Sequence, residues 1–276
     1  PCGSCHSCKM AAAGSHPDIV HITHEKPGMI SVGEIRSQLC EDVFVKPYYG
    51  PYKIYIAEDS QLLNHQAQNA MLKTLENPPK YCVIFLLTTS SDAFLETILS
   101  RCVILHTKPV ADEDIAKAMM ARFQMPDYEA KVICAFSQGN PGKAFRYAAD
   151  EKFREIMDMS SKMLNGINEK KVHELTLAAK EIADKENAPY IDEILDFFVI
   201  RYRDVLIYKA TGKKDLLIFG ENDKSYKIAK DAEKLTYRQI NRAIRNIMHA
   251  RKLIKSNVGT QKVFEQLMLR LGQYES

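Results

Sequence analysis

The chain has 276 residues, of which 46% are hydrophobic and 26% charged, and its formal net charge is +3. Those values exclude a disordered chain, suggest two or three compact units, and give no argument for nucleic acid from charge alone. No run of about 18 apolar residues is available to span a bilayer, and the opening Pro1-Cys2-Gly3-Ser4-Cys5 lacks the basic lead and apolar stretch of a signal peptide.

Residues 19–23 alternate apolar and polar side chains, which predicts a short half-buried strand. Val32, Ile35, Leu39 and Val43 fall at helical spacing within 31–44. A buried strand is predicted at Tyr52–Ala57. Asn64 then caps a helix with Ala67, Ala70, Met71 and Leu75 on one face, and Asn77-Pro78-Pro79 stops it. Tyr81–Leu87 is nearly continuously apolar, the pattern of a strand covered on both faces. A helical stretch near Ala93–Leu99 and a further strand over Val103–Thr107 complete an alternation that implies a parallel α/β layer. From Pro109 the pattern becomes helical. Asp112, Glu113 and Asp114 open one helix, where they complement its dipole, a second covers Asp127–Ser137, and Gly139–Gly142 separates it from a third. Beyond about residue 155 long amphipathic helices dominate, at Ile191–Lys209, Thr236–Lys255 and Thr260–Tyr274.

The seven cysteines are odd in number and clustered at one end, which does not suit a secreted disulfide framework and fits a reducing cytoplasm. Cys2, Cys5 and Cys8 place three thiolates in one tight loop, as tetrahedral zinc requires at about 2.3 Å per sulfur. A structural zinc takes four ligands, and neither His6 nor His16 has the usual spacing. The alternative is three free surface thiols, a liability in an exposed loop. The chain opens inside this motif without a methionine. We therefore expect a fragment of a longer protein, with the fourth ligand upstream of residue 1 and roughly 50–70 preceding residues, the size of a strand–loop–helix nucleotide unit.

Glu58 and Asp59 follow the strand over 52–57, at the edge of a parallel sheet where a Mg²⁺-nucleotide would be met. Taken alone, the pair is equally an acidic turn. Gln68-Asn69-Ala70-Met71-Leu72-Lys73-Thr74-Leu75-Glu76-Asn77-Pro78-Pro79 resembles the A-x-N-A-L-L-K-x-L-E-E-P-P block of bacterial clamp-loader subunits. Thr97-Ile98-Leu99-Ser100-Arg101-Cys102 resembles their T-I-x-S-R-C block, and Phe85-Leu86-Leu87-Thr88-Thr89 between them resembles the sensor-1 strand. Three linked blocks in order make the resemblance specific, and with the cysteine module and helical tail it covers nearly the whole chain.

The resemblance implies an AAA+ architecture: a RecA-like domain with a zinc module over 1–108, a helical lid over 109–155 and a helical collar for oligomerisation over 156–276. It implies that Arg101 reaches a neighbouring subunit's ATP as an arginine finger, a fixed cationic fork against the γ-phosphate. The other reading of Arg101 is a structural arginine paired with a local acid. Glu58, Asp59 and Thr89 stand where Walker B and sensor-1 groups would be, but the acids are in reversed order, and a shift of one methylene matters where an ångström of misplacement costs about a hundredfold in rate. The lid block reads Gly139-Asn140-Pro141-Gly142-Lys143-Ala144, with Gly142 at the family's sensor-2 arginine position. This degraded pattern beside an intact finger resembles the loader's non-hydrolysing trigger subunit. ATP and Mg²⁺ would then be met only through neighbours. The implied partners are the gamma or tau ATPase subunits, the clamp-opening delta subunit, the sliding clamp and primer-template DNA, within a polymerase III holoenzyme whose polymerase site is not in this chain. The rival readings are an ATP-hydrolysing gamma/tau-type subunit and, from another class, a zinc-dependent nucleic-acid-binding module. Finally, Thr236–Lys255 contains no acid and carries Arg238, Arg242, Arg245, His249 and Lys252 near one face. That face is either solvated, or meets a neighbouring collar or DNA phosphates.

Overall fold

The computed structural model describes residues 1–25, 28–165, 167–220, 227–256 and 258–272. They divide into two compact units, Pro1–Thr107 and Lys108–Ser276.

The first unit is a parallel α/β layer. Strands β1 (Ile19–Ile22), β2 (Lys53–Ala57) and β3 (Cys82–Leu86) pair in the order β1-β2-β3, all parallel. Parallel neighbours need long crossovers. The β1–β2 crossover carries helix α2 (Val32–Ile35), which continues through a wider turn at Arg36–Glu41 and a tighter one at Asp42–Phe44. Ser31 and Glu34 cap its start reciprocally. The β2–β3 crossover is helix α3 (His65–Glu76), capped by the Asn64 side chain accepting from the Ala67 amide at 2.8 Å. Short helices α1 (His6–Ala12) and α4 (Glu96–Leu99) stand at the unit's two ends. The core joins Ile22, Tyr55 and Ala57 of the sheet to Ile35, Leu39, Ala67, Met71 and Ile98 of the helices. Lys53 is buried in β2, and its ammonium is neutralised by Asp42 at 2.7 Å.

Two expectations fail here. Val103–Thr107 forms no strand: Val103 is 87% and Leu105 80% exposed. Its run Val103-Ile104-Leu105 supplies strand propensity, but a strand exists only with a ladder partner, and none of the three described strands pairs with it. β3 is also not covered on both faces, since Phe85 is 44% exposed and none of its five residues is fully buried, and among the described residues it lies at the sheet's edge. A continuous apolar run specifies strand type and does not supply a neighbour.

The second unit is all helical. Helices α5 (Asp112–Phe123), α6 (Asp127–Ser137) and α7 (Pro141–Ala149) open it. Gly139 turns the chain between α6 and α7 at φ +78°, and a Cβ there would lie 2.4 Å from that of Pro109, so only glycine fits. Helices α8 (Glu151–Leu164), α9 (Val172–Ile182), α10 (Ile191–Thr211), α11 (Ile228–Lys234), α12 (Tyr237–Lys255) and α13 (Thr260–Leu271) follow. The expected end of the last helix, Tyr274, lies outside the described residues. One continuous cluster of buried side chains runs from Ile115 to Leu271, with Phe197, Phe198 and Phe264 fully enclosed. No described helix is long and apolar enough to cross a membrane. A parallel α/β unit followed by an all-helical one is the class that the sequence implied.

Candidate functional site

β2 ends at Ala57, and the chain turns at once. Asp59 takes a left-handed conformation (φ 48°), which aspartate tolerates better than most residues. Ser60 is fully buried, and its hydroxyl donates to the Ala57 carbonyl at 2.7 Å. The Ser60 amide donates to the Leu87 carbonyl at 2.8 Å, and the Leu87 amide to the Ala57 carbonyl at 2.9 Å. The carboxyl ends of β2 and β3 are thereby tied, and Glu58, Asp59 and Thr89 share one exposed sheet edge. Glu58 lies 3.5 Å from His21 of β1, and the Asp59 carboxylate accepts from the Gln61 side-chain Nε2 at 3.0 Å. Thr89 makes no side-chain hydrogen bond among the described residues, whereas Thr88 is engaged with Ser90 at 2.7 Å.

Arg101 follows α4. Its position is fixed by Gln68, a buried amide on the same face of α3 as Met71 and Leu75. The Gln68 amide group donates to the carbonyls of Leu63 (3.1 Å) and Ala93 (2.9 Å), and its oxygen accepts from the Leu95 amide at 2.8 Å. These bonds fasten the approach to α4. The Arg101 guanidinium donates to the Thr97 carbonyl at 2.9 Å, to the Ser100 hydroxyl at 3.3 Å and to the carboxylate of Glu76, the last residue of α3. Its side chain is 33% exposed and that of Glu76 46%. Arg101 therefore stays at the surface, with a local acid as its resting partner.

Gln68 and Glu76 lie within the Gln68–Pro79 block, but no motif there assigns either a role. The signal for Gln68 was present, as a polar residue on an otherwise apolar helix face is a candidate for burial. For Glu76 there was none, because its partner lies 25 residues further along.

The thiols of Cys2, Cys5 and Cys8 lie within 4.8 Å of one another. Gly3 at φ 71° makes the sharp turn, and Cys5 caps α1 by accepting from the Cys8 amide. Cys2 and Cys8 sulfurs stand 4.0 Å apart. Two sulfurs each about 2.3 Å from a tetrahedral ion stand about 3.8 Å apart, so the trio fits three corners of a zinc site. The Cys2 thiol is lowered to about 6 by the Ser4 hydroxyl and by the Ser4 and Cys5 amides. His16 is not among these ligands. Its Nε2 is within 2.8 Å of the Ser7 hydroxyl, and its Nδ1 accepts from the Asp18 amide at 3.1 Å.

In the second unit, Gly142 occupies the second position of α7 and offers no side chain. The Lys143 ammonium lies 5.3 Å from the Tyr147 ring centroid, along its own helix.

A sequence profile of the family described as "DNA polymerase III, delta subunit" matches residues 1–111. The chain is 27% identical over 275 residues to DNA polymerase III subunit delta' of Bacillus subtilis, spanning 99% of this chain and 81% of that relative. It is 29% identical to the delta' subunit of Pseudomonas aeruginosa over 220 residues, spanning 78% of this chain and 64% of the relative. Similarity to the tau/gamma subunit of Haemophilus influenzae is higher, at 35%, but spans 42% of this chain and 17% of the relative. Likeness to the Bacillus delta' protein thus runs through both units, whereas likeness to this tau/gamma protein is partial.

Proposed function

We propose that the chain is a delta-prime-type subunit of a bacterial DNA polymerase III clamp loader, as its full-length likeness to the Bacillus delta' protein supports, and that it triggers ATP hydrolysis in a neighbouring subunit through Arg101. The carrying observation is the state of Arg101: at the surface, oriented by three acceptors, and paired only with an exposed carboxylate. An exposed ion pair contributes about 0–1 kcal/mol. A triphosphate offers more charge and a better fork for a guanidinium. Release from Glu76 to a neighbour's γ-phosphate therefore costs little, and the charge developing in phosphoryl transfer favours it.

The chain's own nucleotide groups support the same division of labour. Glu58 and Asp59 stand in reversed order, and Gly142 cannot touch phosphate with a side chain. ATP and Mg²⁺ are bound by gamma or tau neighbours, and hydrolysis there closes the sliding clamp, opened by delta, on primer-template DNA. The helical unit carries the collar that holds the ring.

The test is ATP turnover by a loader reconstituted with Arg101→Ala. Turnover should fall by on the order of 10³ or less while the complex still assembles, and unchanged turnover removes the trigger role.

The cysteine trio is proposed to hold a structural zinc through Cys2, Cys5 and Cys8, fastening the first turn of α1. A bound zinc contributes folding energy directly. Purified protein should contain about one zinc per chain, and Cys5→Ser should lose it. Zinc-free protein of unchanged stability contradicts the assignment.

A further inference from the structure

The chain's positive charge is not spread evenly. The segment Thr236–Lys255 contains six lysines and arginines and no acid, so the rest of the chain is net negative. The segment forms α12, capped by Thr236 and Gln239. Ile240, Ala243, Ile247 and Ala250 form its buried face. Arg238, Arg242, Arg245, His249 and Lys252 lie on the exposed side at spacings of four, three, four and three residues. At 1.5 Å per residue they form a straight ladder about 21 Å long.

The helix distinguishes between its own arginines. Arg251, on the flank facing α10, is paired with Asp196 and Asp192 of that helix. Arg238, Arg245, His249 and Lys252 form no ion pair among the described residues, and the acid of α13, Glu265, is engaged by Gln261 at 2.8 Å. A face on which these four basic groups have no carboxylate partner among the described residues, on a chain otherwise net negative, is complementary to an external polyanion.

We infer that the exposed face of α12 binds the phosphate backbone of single-stranded DNA. Arginine forks suit phosphate. A flexible single strand can follow a straight row of cations, whereas each strand of a duplex winds away from it. Tyr237 lies at one end of the ladder, 48% exposed and tethered by its hydroxyl to the Lys209 carbonyl at 3.3 Å. An exposed ring beside a basic row is the pairing that single-strand binders use, the ring stacking on a base. The inference rests on the proposed function only for where such a strand would be met.

The experiment is a fluorescence-anisotropy titration of the full chain with a labelled 20-nucleotide oligothymidylate, from 50 to 200 mM salt. Replacing Arg238, Arg245 and Lys252 together by Gln should weaken binding at least tenfold, and the slope of log affinity against log salt should fall by about 2. Arg245→Gln alone should lower that slope by about 0.7 and keeps the test open if the triple variant folds poorly. Unchanged slopes, or tighter binding to a duplex of equal length, overturn the inference. So does a triple variant that binds DNA normally but no longer associates with a tau or gamma subunit, since the face would then be a protein contact. Failure here leaves the ATP-turnover test of Arg101 intact, and the reverse also holds.

Discussion

The two units hold their short elements in place with different chemistry. In the first, single polar side chains do the fastening at both edges of the sheet: Gln68 binds the approach to α4, and Asp18, just before β1, gathers a loop. The Asp18 carboxylate accepts from the amides of Tyr48 (2.6 Å), Tyr49 (2.7 Å) and Gly50 (3.2 Å). The second unit relies on its continuous apolar cluster, in which Phe197 packs on Phe219 at 5.0 Å between centroids. The role proposed for Arg101 requires fixed direction near the surface, where apolar packing is thin. Directional hydrogen bonds supply that. The collar role proposed for the helical unit requires bulk stability, which apolar burial supplies without direction.

The largest effect that would break this contrast lies in the second unit. Phe197→Ala should destabilise it by about 3–5 kcal/mol, followed as loss of helical circular dichroism in urea. A cost below about 1 kcal/mol would mean that the cluster is not continuous at its centre. Gln68→Leu, in the first unit, should cost about 2–3 kcal/mol, because the Leu63 and Ala93 carbonyls and the Leu95 amide lose their partner. It should also lower loader ATP turnover with Arg101 untouched. A variant that is less stable but fully active would show that the fastening does not position the arginine.

Asp18→Asn gives the smallest effect and the sharpest pH signature. Burial pushes the Asp18 carboxyl up, but the Tyr48, Tyr49 and Gly50 amides outweigh it and hold it below its ordinary value. The folded state therefore takes up this proton at lower pH than the unfolded chain does. The contribution to stability is full above about pH 4 and is lost as pH falls through the folded value. At neutral pH the variant should be about 1–2 kcal/mol less stable, and the gap to the native chain should close on acidification. A gap independent of pH would show that the charge on Asp18 is not what gathers the loop.

Much of this was legible in the sequence, and what was not has a common cause. The Asn64 cap, the Asp127–Ser137 helix and the three strands follow from patterns that span a few neighbouring residues. The motif blocks pointed to Arg101 at the end of α4. The misses depend on distant partners. Val103–Thr107 had the β-branched, apolar composition of a strand and no described ladder to join. Glu76 pairs with Arg101 across two elements, and Asp18 reaches amides 30 to 32 residues away. Periodicity reports which face of a segment is buried and is silent on which loop a polar group there will hold.

The most direct measurement is the structure of an assembled loader holding a phosphoryl-transfer transition-state analogue. The account predicts that the Arg101 guanidinium has left Glu76 and lies about 3 Å from the analogue on the neighbouring subunit. An Arg101 still paired with Glu76, out of reach of every bound nucleotide, would contradict it.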